Sequence, residues 1–540
     1  MLQGYRAGGE RALLLYPAGL EFISAFFGCL YAGVIAVPLP PPNLGQPHRT
    51  LPRLRAIIAN AQPFFVLTTS AILANSADLF TLAPELRKMR WLATDKIADS
   101  LAQEWEDLSV TTDTLALLQY TSGSTAEPKG VKISHGNLLH NSAYISRVFA
   151  LSPDSVTVTW LPAFHDMGLT NGIIQPMYKG RPCYLMPAVS FLMRPARWLE
   201  AISRYKATIS GGPNFAYDLC VRGITAEQRE TLDLSSWDVA YNGAEPVRSD
   251  TMKRFTEAFA PSGFRASAFH PCYGLAEATL LVTGGSLGDK MFCRVQVPAL
   301  EQNRILAADS QYRNSRILAG SGHALHDTRI VIVHPESLTA CAPDEVGEIW
   351  ISGPSVTKGY WNRSEDTERA CRAYLKDNGE GPFLRTGDLG FLRDGELFVT
   401  GRLKDLIIIS GRKLYPQDIE LTVEQSHPAL RPACSAAFSA EGAGGEQLII
   451  AAEVEPRYQP GVSSLSNGKP RALPSGRLPL DIETVVRSIR RAVAEEHDVR
   501  VHTVKLLQAG RIPRTTSGKV QRHACQATFL KGTLEALGGT

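Results

Sequence analysis

Short apolar runs alternate with amphipathic stretches over the first half of the chain. Ala12–Leu15, Phe64–Thr68, Leu115–Tyr120, Val156–Leu161, Thr208–Gly211 and Val239–Asn242 read as buried strands. Helical spacing predicts helices over Leu51–Ala61, Asn137–Phe149 (with Ser134 or His135 near its cap) and Met193–Tyr205. Such alternation predicts parallel sheets covered by helices. From about Thr328 the pattern turns β-rich, with Thr328–Val333, Val346–Ser352 and Leu397–Thr400, which predicts a small barrel or antiparallel unit. After Gly401 a compact α+β unit is expected: helices Pro416–Gln425 and Ile482–Glu496, strands Leu448–Glu455 and Val504–Gln508. The Pro/Ser/Gly-rich stretch Pro456 to Pro479 reads as an exposed loop inside it.

Phe22 to Leu39 is 18 residues without a charge, the length of a short membrane span. Pro38 lies inside it, Gly28 and Gly33 interrupt it, and Pro40 to Pro42 follow. A buried helix (Leu20 to Ala32) turning into a buried strand (Val34 to Pro38) explains it better, so no stable membrane insertion is expected. The 540 residues exceed a single core, so two or more domains are expected. A composition of 44% hydrophobic and 20% charged residues excludes disordered and collagen-like classes. The net charge of +3 gives no reason to expect nucleic acid. Nine scattered cysteines, with no Cys-x-x-Cys, fit reduced thiols in the cytoplasm.

The chemistry begins where the run Leu115 to Tyr120 ends in five small or hydroxylated residues, Thr121, Ser122, Gly123, Ser124 and Thr125, followed by Lys129 and Gly130. A strand feeding such a loop offers backbone N–H groups, hydroxyls and one ammonium to a polyanion. The Walker pattern fails, because Pro128 precedes Lys129 and Gly130 follows it. There is no G-x-S-x-G and no G-x-G-x-x-G, so serine hydrolases and dinucleotide-binding enzymes lack support.

Thr121-Ser-Gly-Ser-Thr-Ala-Glu-Pro-Lys-Gly130 resembles the phosphate loop of the adenylate-forming superfamily: acyl-CoA synthetases, nonribosomal adenylation domains and luciferases. Four further matches follow in that family's order: Tyr273-Gly-Leu-Ala-Glu-Ala-Thr279, Arg385-Thr-Gly-Asp-Leu-Gly390, Gly401-Arg-Leu-Lys-Asp405 and Pro513-Arg-Thr-Thr-Ser-Gly-Lys519. The resemblance implies an α/β fold: a large N-terminal domain (1–401) of two helix-covered sheets plus a small β-barrel, and a small mobile α+β C-terminal domain (402–540). It also implies about fifty further residues upstream of Met1, whose absence is expected to leave an exposed apolar edge.

The implied reaction is attack of a carboxylate oxygen on the α-phosphorus of ATP, with loss of pyrophosphate. It needs positioning and positive charge, and no protein nucleophile. Thr121 to Thr125 and Lys129 are then expected to hold the departing phosphates. Glu277 resembles the family's Mg2+ ligand, with Thr125 beside it. Tyr273 and Gly274, with Gly243 and Ala244 of the string Tyr241-Asn-Gly-Ala-Glu-Pro246, are expected to border the adenine. Asp388 is expected to accept from both ribose hydroxyls, and Arg402 to reach the ribose or phosphate. Lys519 corresponds to the family's catalytic lysine, which inserts beside the α-phosphate and the substrate carboxylate. His165, in Trp160-Leu-Pro-Ala-Phe-His-Asp-Met-Gly168, is expected to orient the acid, and Lys404 marks the hinge.

Within the superfamily, the resemblance is nearest to fatty-acyl-AMP ligases. It rests on Leu161-Pro-Ala-Phe-His-Asp-Met-Gly-Leu169, Gly211-Gly-Pro-Asn-Phe-Ala-Tyr217 and Gly411-Arg-Lys-Leu-Tyr-Pro-Gln-Asp-Ile-Glu420. Such enzymes pass the acyl group to an acyl carrier protein, here expected from another chain of a polyketide or nonribosomal synthase. In that branch, an insertion at Ala370 to Gly381 packs between domains and restricts access for CoA, and Ala373, Tyr374 and Leu375 are its expected apolar contacts. Met193, Gly211, Gly212 and Phe215 are the expected acyl-pocket residues. The alternatives are a long-chain acyl-CoA ligase and a degenerate nucleotide- or acyl-binding protein.

Overall fold

The computed structural model describes all residues except 44, 46, 122–126, 286–291, 410, 443–444, 461–477, 516–517 and 538–540. The first apolar runs form β1 (Arg11–Leu15), β2 (Ile35–Leu39), β3 (Phe65–Thr68), β4 (Arg90–Ala93), β5 (Leu115–Tyr120) and β6 (Gly130–Ser134). They build one sheet in the order β4-β3-β1-β2-β5-β6, parallel except where β6 pairs antiparallel with β5. Both faces of β1 are buried, which is why its sequence is a near-continuous apolar run. Ala12 and Leu14 join Phe22 and Phe26 of helix Leu20–Tyr31, while Leu13 and Leu15 join Leu51, Leu54 and Ile57 of helix Pro47–Ala61. The uncharged stretch from Phe22 is therefore a helix turning into β2. Among the described residues no helix is long and apolar enough to cross a membrane. The expected exposed apolar edge does not arise at the first strand, because β1 lies inside the sheet and the edges are β4 and β6.

A second sheet contains β7 (Thr157–Thr159), β8 (Cys183–Leu185), β9 (Ile209–Gly212), β10 (Val239–Asn242), β11 (Phe269–Gly274) and β12 (Leu281–Gly284), in the order β12-β11-β10-β9-β7-β8. One face packs on an aromatic core of Trp198, Tyr217, Trp237, Phe255 and Phe269. Each fully buried phenylalanine there contributes roughly 1.5–3 kcal/mol. Helix His135–Val148 lies between the two sheets, with Leu138 in the core of the first and Tyr144 and Ile145 in that of the second. Its start is fixed by a capping box: Asn137 N–H donates to Ser134 Oγ, and the Asn137 side chain accepts from the Ser134 N–H. The helix expected over Met193–Tyr205 starts only at Ala196, and Met193 instead ends a separate helix, Ala188–Met193, because Pro195 has no N–H and disfavours helix at Arg194.

The β-rich region pairs β13 (Phe292–Gln296) with β14 (Ser315–Ala319), and aligns β15 (Arg329–Val333), β16 (Gly347–Ser352), β17 (Leu384–Arg393) and β18 (Glu396–Arg402) in an antiparallel sheet. A bridge between Gly320 and Phe398 joins the ribbon to that sheet. Leu375, in the expected insertion, is buried with Val333, Trp350 and Phe383, and Ala373 bridges Phe383. The insertion thus packs on its own sheet. Among the described residues it shares no apolar cluster with the part beyond Arg402, contrary to expectation, and Tyr374 is 51% exposed.

Beyond Arg402 come the hairpin β19 (Ile407–Ile409) and β20 (Arg412–Leu414), helix Pro416–Gln425, and long strands β21 (Leu430–Gly442) and β22 (Gly445–Val454). In the Pro-rich stretch, β23 (Tyr458–Pro460) pairs with β24 (Leu478–Leu480), and residues 461–477 lie outside the described residues. Helix Ile482–His497 and β25 (Val501–Leu507), parallel to β22, complete the unit with helix Arg522–Leu530. The ends of β5, β9, β10 and β11 meet this unit across a cleft, the usual place for ligands in open α/β sheets.

Candidate active site

The cleft measures about 2030 Å3 and gathers Thr121, Lys129, His165, Phe215, Ala244, Tyr273, Gly274, Glu277, Asp388, Arg402, Lys404 and Lys519 from widely separated points of the chain. Lys519 sits on a tight turn. Thr515 N–H donates to Lys519 O at 2.8 Å, Lys519 N–H donates to Thr515 Oγ1 at 3.1 Å, and Arg514 Nη1 donates to Gly518 O at 2.6 Å. This turn projects its ammonium into the cleft. Burial lowers the pKa of that ammonium and Arg402 lowers it further, against the pull of Asp166, Glu245 and Asp388.

Asp388 lies in β17 with 7% of its surface exposed. Tyr273 Oη donates to Oδ2 at 2.8 Å, and Arg402 Nε donates to Oδ1 at 3.0 Å. Each oxygen keeps a lone pair for a vicinal diol. The carboxylate raises the pKa of Arg402, fixing its charge. Ala244 follows β10 with φ 67, a left-handed turn that exposes the end of that strand to the cleft.

Elsewhere in the cleft, Glu277 Oε1 accepts from the Tyr360 hydroxyl at 2.8 Å. Burial raises its pKa, and Asp166 adds to the rise. A carboxylate held this way favours a nearby cation. Among the described residues no group of three or more His, Cys, Asp or Glu could hold a metal. A hard divalent cation bound by one carboxylate and by substrate phosphates does not need one, so Glu277 fits Mg2+. Lys129 Nζ pairs with Asp366 Oδ1 at 2.9 Å and lies 5.0 Å from the Tyr360 ring centroid. Thr121 N–H donates to Lys129 O at 3.2 Å, closing the base of the phosphate loop. Ser122, Gly123, Ser124 and Thr125 lie outside the described residues.

His165 Nδ1 lies 2.6 Å from Asp166 Oδ1. Burial opposes ionisation of Asp166, but His165 and Lys519 together hold its pKa below the usual value. Phe215 lines the cleft, its N–H donating to Glu245 Oε1 at 2.5 Å, and a Cβ at Gly518 would stand 4.0 Å from its ring. The other expected acyl-pocket residues lie elsewhere. Met193 is 77% exposed at the end of a short helix and does not line the cleft. Gly211 and Gly212 are buried in β9. A Cβ on Gly212 would come within 2.6 Å of the Trp160 ring, and one on Gly211 within 2.2 Å of Tyr241 O. They let the wall close up behind the cleft and do not face it. Gly243 likewise backs onto Cys272, whose Sγ would stand 2.7 Å from a Cβ at that position.

Two clamps flank Lys404. Before it, Arg402 is tied to Asp388. After it, Asp405 accepts from Arg522 Nη1 at 2.7 Å and lies 3.4 Å from His523 Nε2. Among the described residues no ion pair holds Lys404 itself. The seam across the cleft is polar: Arg412 forks onto both oxygens of Glu301 at 2.8 Å, Arg316 pairs with Asp418 at 2.8 Å, and Gln417 donates to Thr400 O at 2.7 Å. Arg412 also donates to the carbonyls of His497 and Asp498.

Sequence reasoning missed Arg53, Asp166, Glu245, Tyr360 and Asp366, all in the cleft wall. Asp166 and Glu245 stand inside the strings Trp160–Gly168 and Tyr241–Pro246, so those strings were available signals. Tyr360 and Asp366 reach the site only through the folding of β16 and β17 around them.

The model of the AMP-binding enzyme family matches residues 2–361. A medium-chain-fatty-acid–[acyl-carrier-protein] ligase of Moorena producens is 51% identical over 530 residues, spanning 97% of this chain and 86% of that protein. A long-chain-fatty-acid–AMP ligase of Mycolicibacterium smegmatis is 37% identical over 572 residues, spanning 99% and 87%. The crystal structure of a fatty acyl-adenylate ligase from L. pneumophila, in complex with acyl adenylate and pyrophosphate, matches with a TM-score of 0.73 at 40% identity, covering 98% of this chain and 88% of that one.

Proposed function

The chain belongs to the AMP-binding enzyme family, and on that premise we propose that it joins a fatty acid to AMP at the expense of ATP and then passes the acyl group to an acyl carrier protein. One observation carries the reading: Lys519, from the far end of the chain, lines the same cleft as Thr121, Lys129, Glu277 and Asp388, where Asp166, Glu245 and Asp388 act on its charge. The relatives named as fatty-acid–[acyl-carrier-protein] and fatty-acid–AMP ligases support the substrate and the acceptor.

In the first step a carboxylate oxygen bonds to the α-phosphorus, the bond to the β-phosphate breaks, and pyrophosphate leaves. Lys519 brings the two anions together. At about 4 Å and an effective dielectric near 20, one such charge contributes about 4 kcal/mol per opposing charge. Asp388 holds the ribose hydroxyls. His165, oriented by Asp166, directs the acid. Thr121 and Lys129 receive the leaving phosphates, with 122–126 as the proposed remainder of that loop. Mg2+, when bound at Glu277, neutralises phosphate charge.

In the second step the carrier's thiol sulfur bonds to the acyl carbon, the thiol loses its proton, and AMP leaves with the electrons of the broken bond. We place the division between the two moving parts at 401/402 and the pivot at Lys404, between the two clamps. Nine unpaired cysteines support a reducing, cytoplasmic setting.

The test is pyrophosphate exchange with fatty acids of graded length, medium-chain acids first, followed by transfer to a holo acyl carrier protein or to CoA. Exchange and carrier acylation are expected. Efficient acyl-CoA formation without carrier acylation would replace the acceptor with CoA, and nucleotide binding without exchange would reject the enzyme reading.

A further inference from the structure

Helix Pro47–Ala61 carries Arg53 into the cleft wall beside Thr121, where β5 gives way to the phosphate loop. Its Nη2 reaches Tyr120 O at 3.3 Å and Thr121 O at 3.4 Å, two long bonds from five available N–H donors. Its Nε is buried and has no acceptor among the described residues. The neighbouring cations are neutralised: Lys129 by Asp366, and Arg363 by Glu127. Arg53 has no carboxylate partner among the described residues, and burial pulls its pKa down with no acid to offset the fall. A guanidinium withdrawn from water without an anion is unfavourable. Its planar fork suits phosphate oxygens better than any other side chain. Lys129 must give up Asp366 before it can take a phosphate. Arg53 has no carboxylate to give up among the described residues, only two long bonds to carbonyls.

We propose that Arg53 is an additional ligand for the terminal phosphates of ATP, and that its guanidinium stays with them as they leave. This rests on the adenylating function proposed above. When the carboxylate oxygen bonds to the α-phosphorus, the electron pair of the broken bond settles on the bridging oxygen of the β-phosphate. The charge therefore grows at the end of the cleft where Arg53 stands, and the residue binds both ATP and free pyrophosphate.

The experiment is calorimetry of the intact chain with inorganic pyrophosphate and, separately, with AMP, for the wild type, Arg53→Gln and Arg53→Lys. Pyrophosphate affinity is expected to fall roughly 10- to 100-fold in Arg53→Gln and less in Arg53→Lys, with AMP affinity unchanged. In the reverse reaction the KM for pyrophosphate should rise while that for acyl-adenylate stays. If Arg53→Gln does not fold, Arg53→Lys keeps the charge and loses the fork, and the same contrast applies. Unchanged pyrophosphate affinity in a folded variant overturns the proposal. So do equal losses for AMP and pyrophosphate, the mark of a residue that only tethers the helix to β5. A wild type that binds neither ligand rejects the adenylating function itself, a different result from either.

Discussion

At the proposed nucleotide side of the cleft, Asp388 is bonded by Tyr273 and Arg402, and three carboxylates act on the charge of Lys519. At the proposed acyl side, Gly212 leaves room for the Trp160 ring, and the Phe215 ring lies close to Gly518, next to Lys519. The first region works by placing charges at fixed separations, so each residue type is obligatory. The second works by volume, and many side chains of similar bulk serve equally. Loss of a group should therefore be catastrophic on one side and graded on the other.

The sharpest test is Lys519→Ala. Adenylation should fall roughly a thousandfold with folding intact, since about 4 kcal/mol of charge stabilisation is removed. Pyrophosphate exchange measures the rate and thermal melting the fold; near-normal exchange would break the charge half of the comparison.

The pH profile probes the same side. Burial and Arg402 depress the Lys519 pKa, so its charge disappears as pH rises, below the usual lysine value of about 10.4. Burial raises the pKa of Glu277, so its carboxylate is lost as pH falls, above the usual value of about 4.3. Both limbs of adenylation should close inward, measured as exchange rate against pH. In linkage terms Glu277 contributes stability below its unfolded pKa and loses it as pH rises through the folded one.

Next in size is Asp388→Ala, which leaves Tyr273 and Arg402 without their shared acceptor. A buried partner lost in this way costs about 1–3 kcal/mol. AMP affinity should fall roughly 10- to 100-fold, read by calorimetry, with fatty-acid KM little changed.

Gly212→Ala pushes a methyl towards Trp160, and overpacking costs about 1–3 kcal/mol of stability. The acyl-length profile and AMP affinity should both hold, because Gly212 lies behind the cleft wall, and thermal melting reads the loss. Met193→Ala, at an exposed site, should change stability by less than about 0.5 kcal/mol and leave that profile alone. A marked shift there would move the acyl channel to the surface helix.

The same contrast explains what the sequence disclosed. Lys519, Asp388, Glu277 and Arg402 stand out in the sequence because each lies in a short glycine-punctuated string, and the fold brings all four to one cleft. The parallel strands were readable because burial on both faces leaves no polar alternation, as in β1 and β10. Met193 was misplaced because an apolar residue near a loop looks the same whether it lines a cavity or meets water. The broken helix at Pro195 was signalled by the proline itself, yet the helical periodicity around it masked the break. Arg53 carried no local mark at all. Its isolation among neutralised cations exists only once the helix, β5 and the loop at Arg363 are brought together.

Arg412 joins Glu301 of the body to the carbonyls closing helix Ile482–His497, so a half-buried ion pair ties the small unit beside the apolar contact of Tyr415 with Leu389, Phe391 and Phe398. Salt weakens such a contact and spares greasy ones. On the proposed pivot at Lys404, concentrated electrolyte should slow the first half-reaction more than the second, without loosening either core.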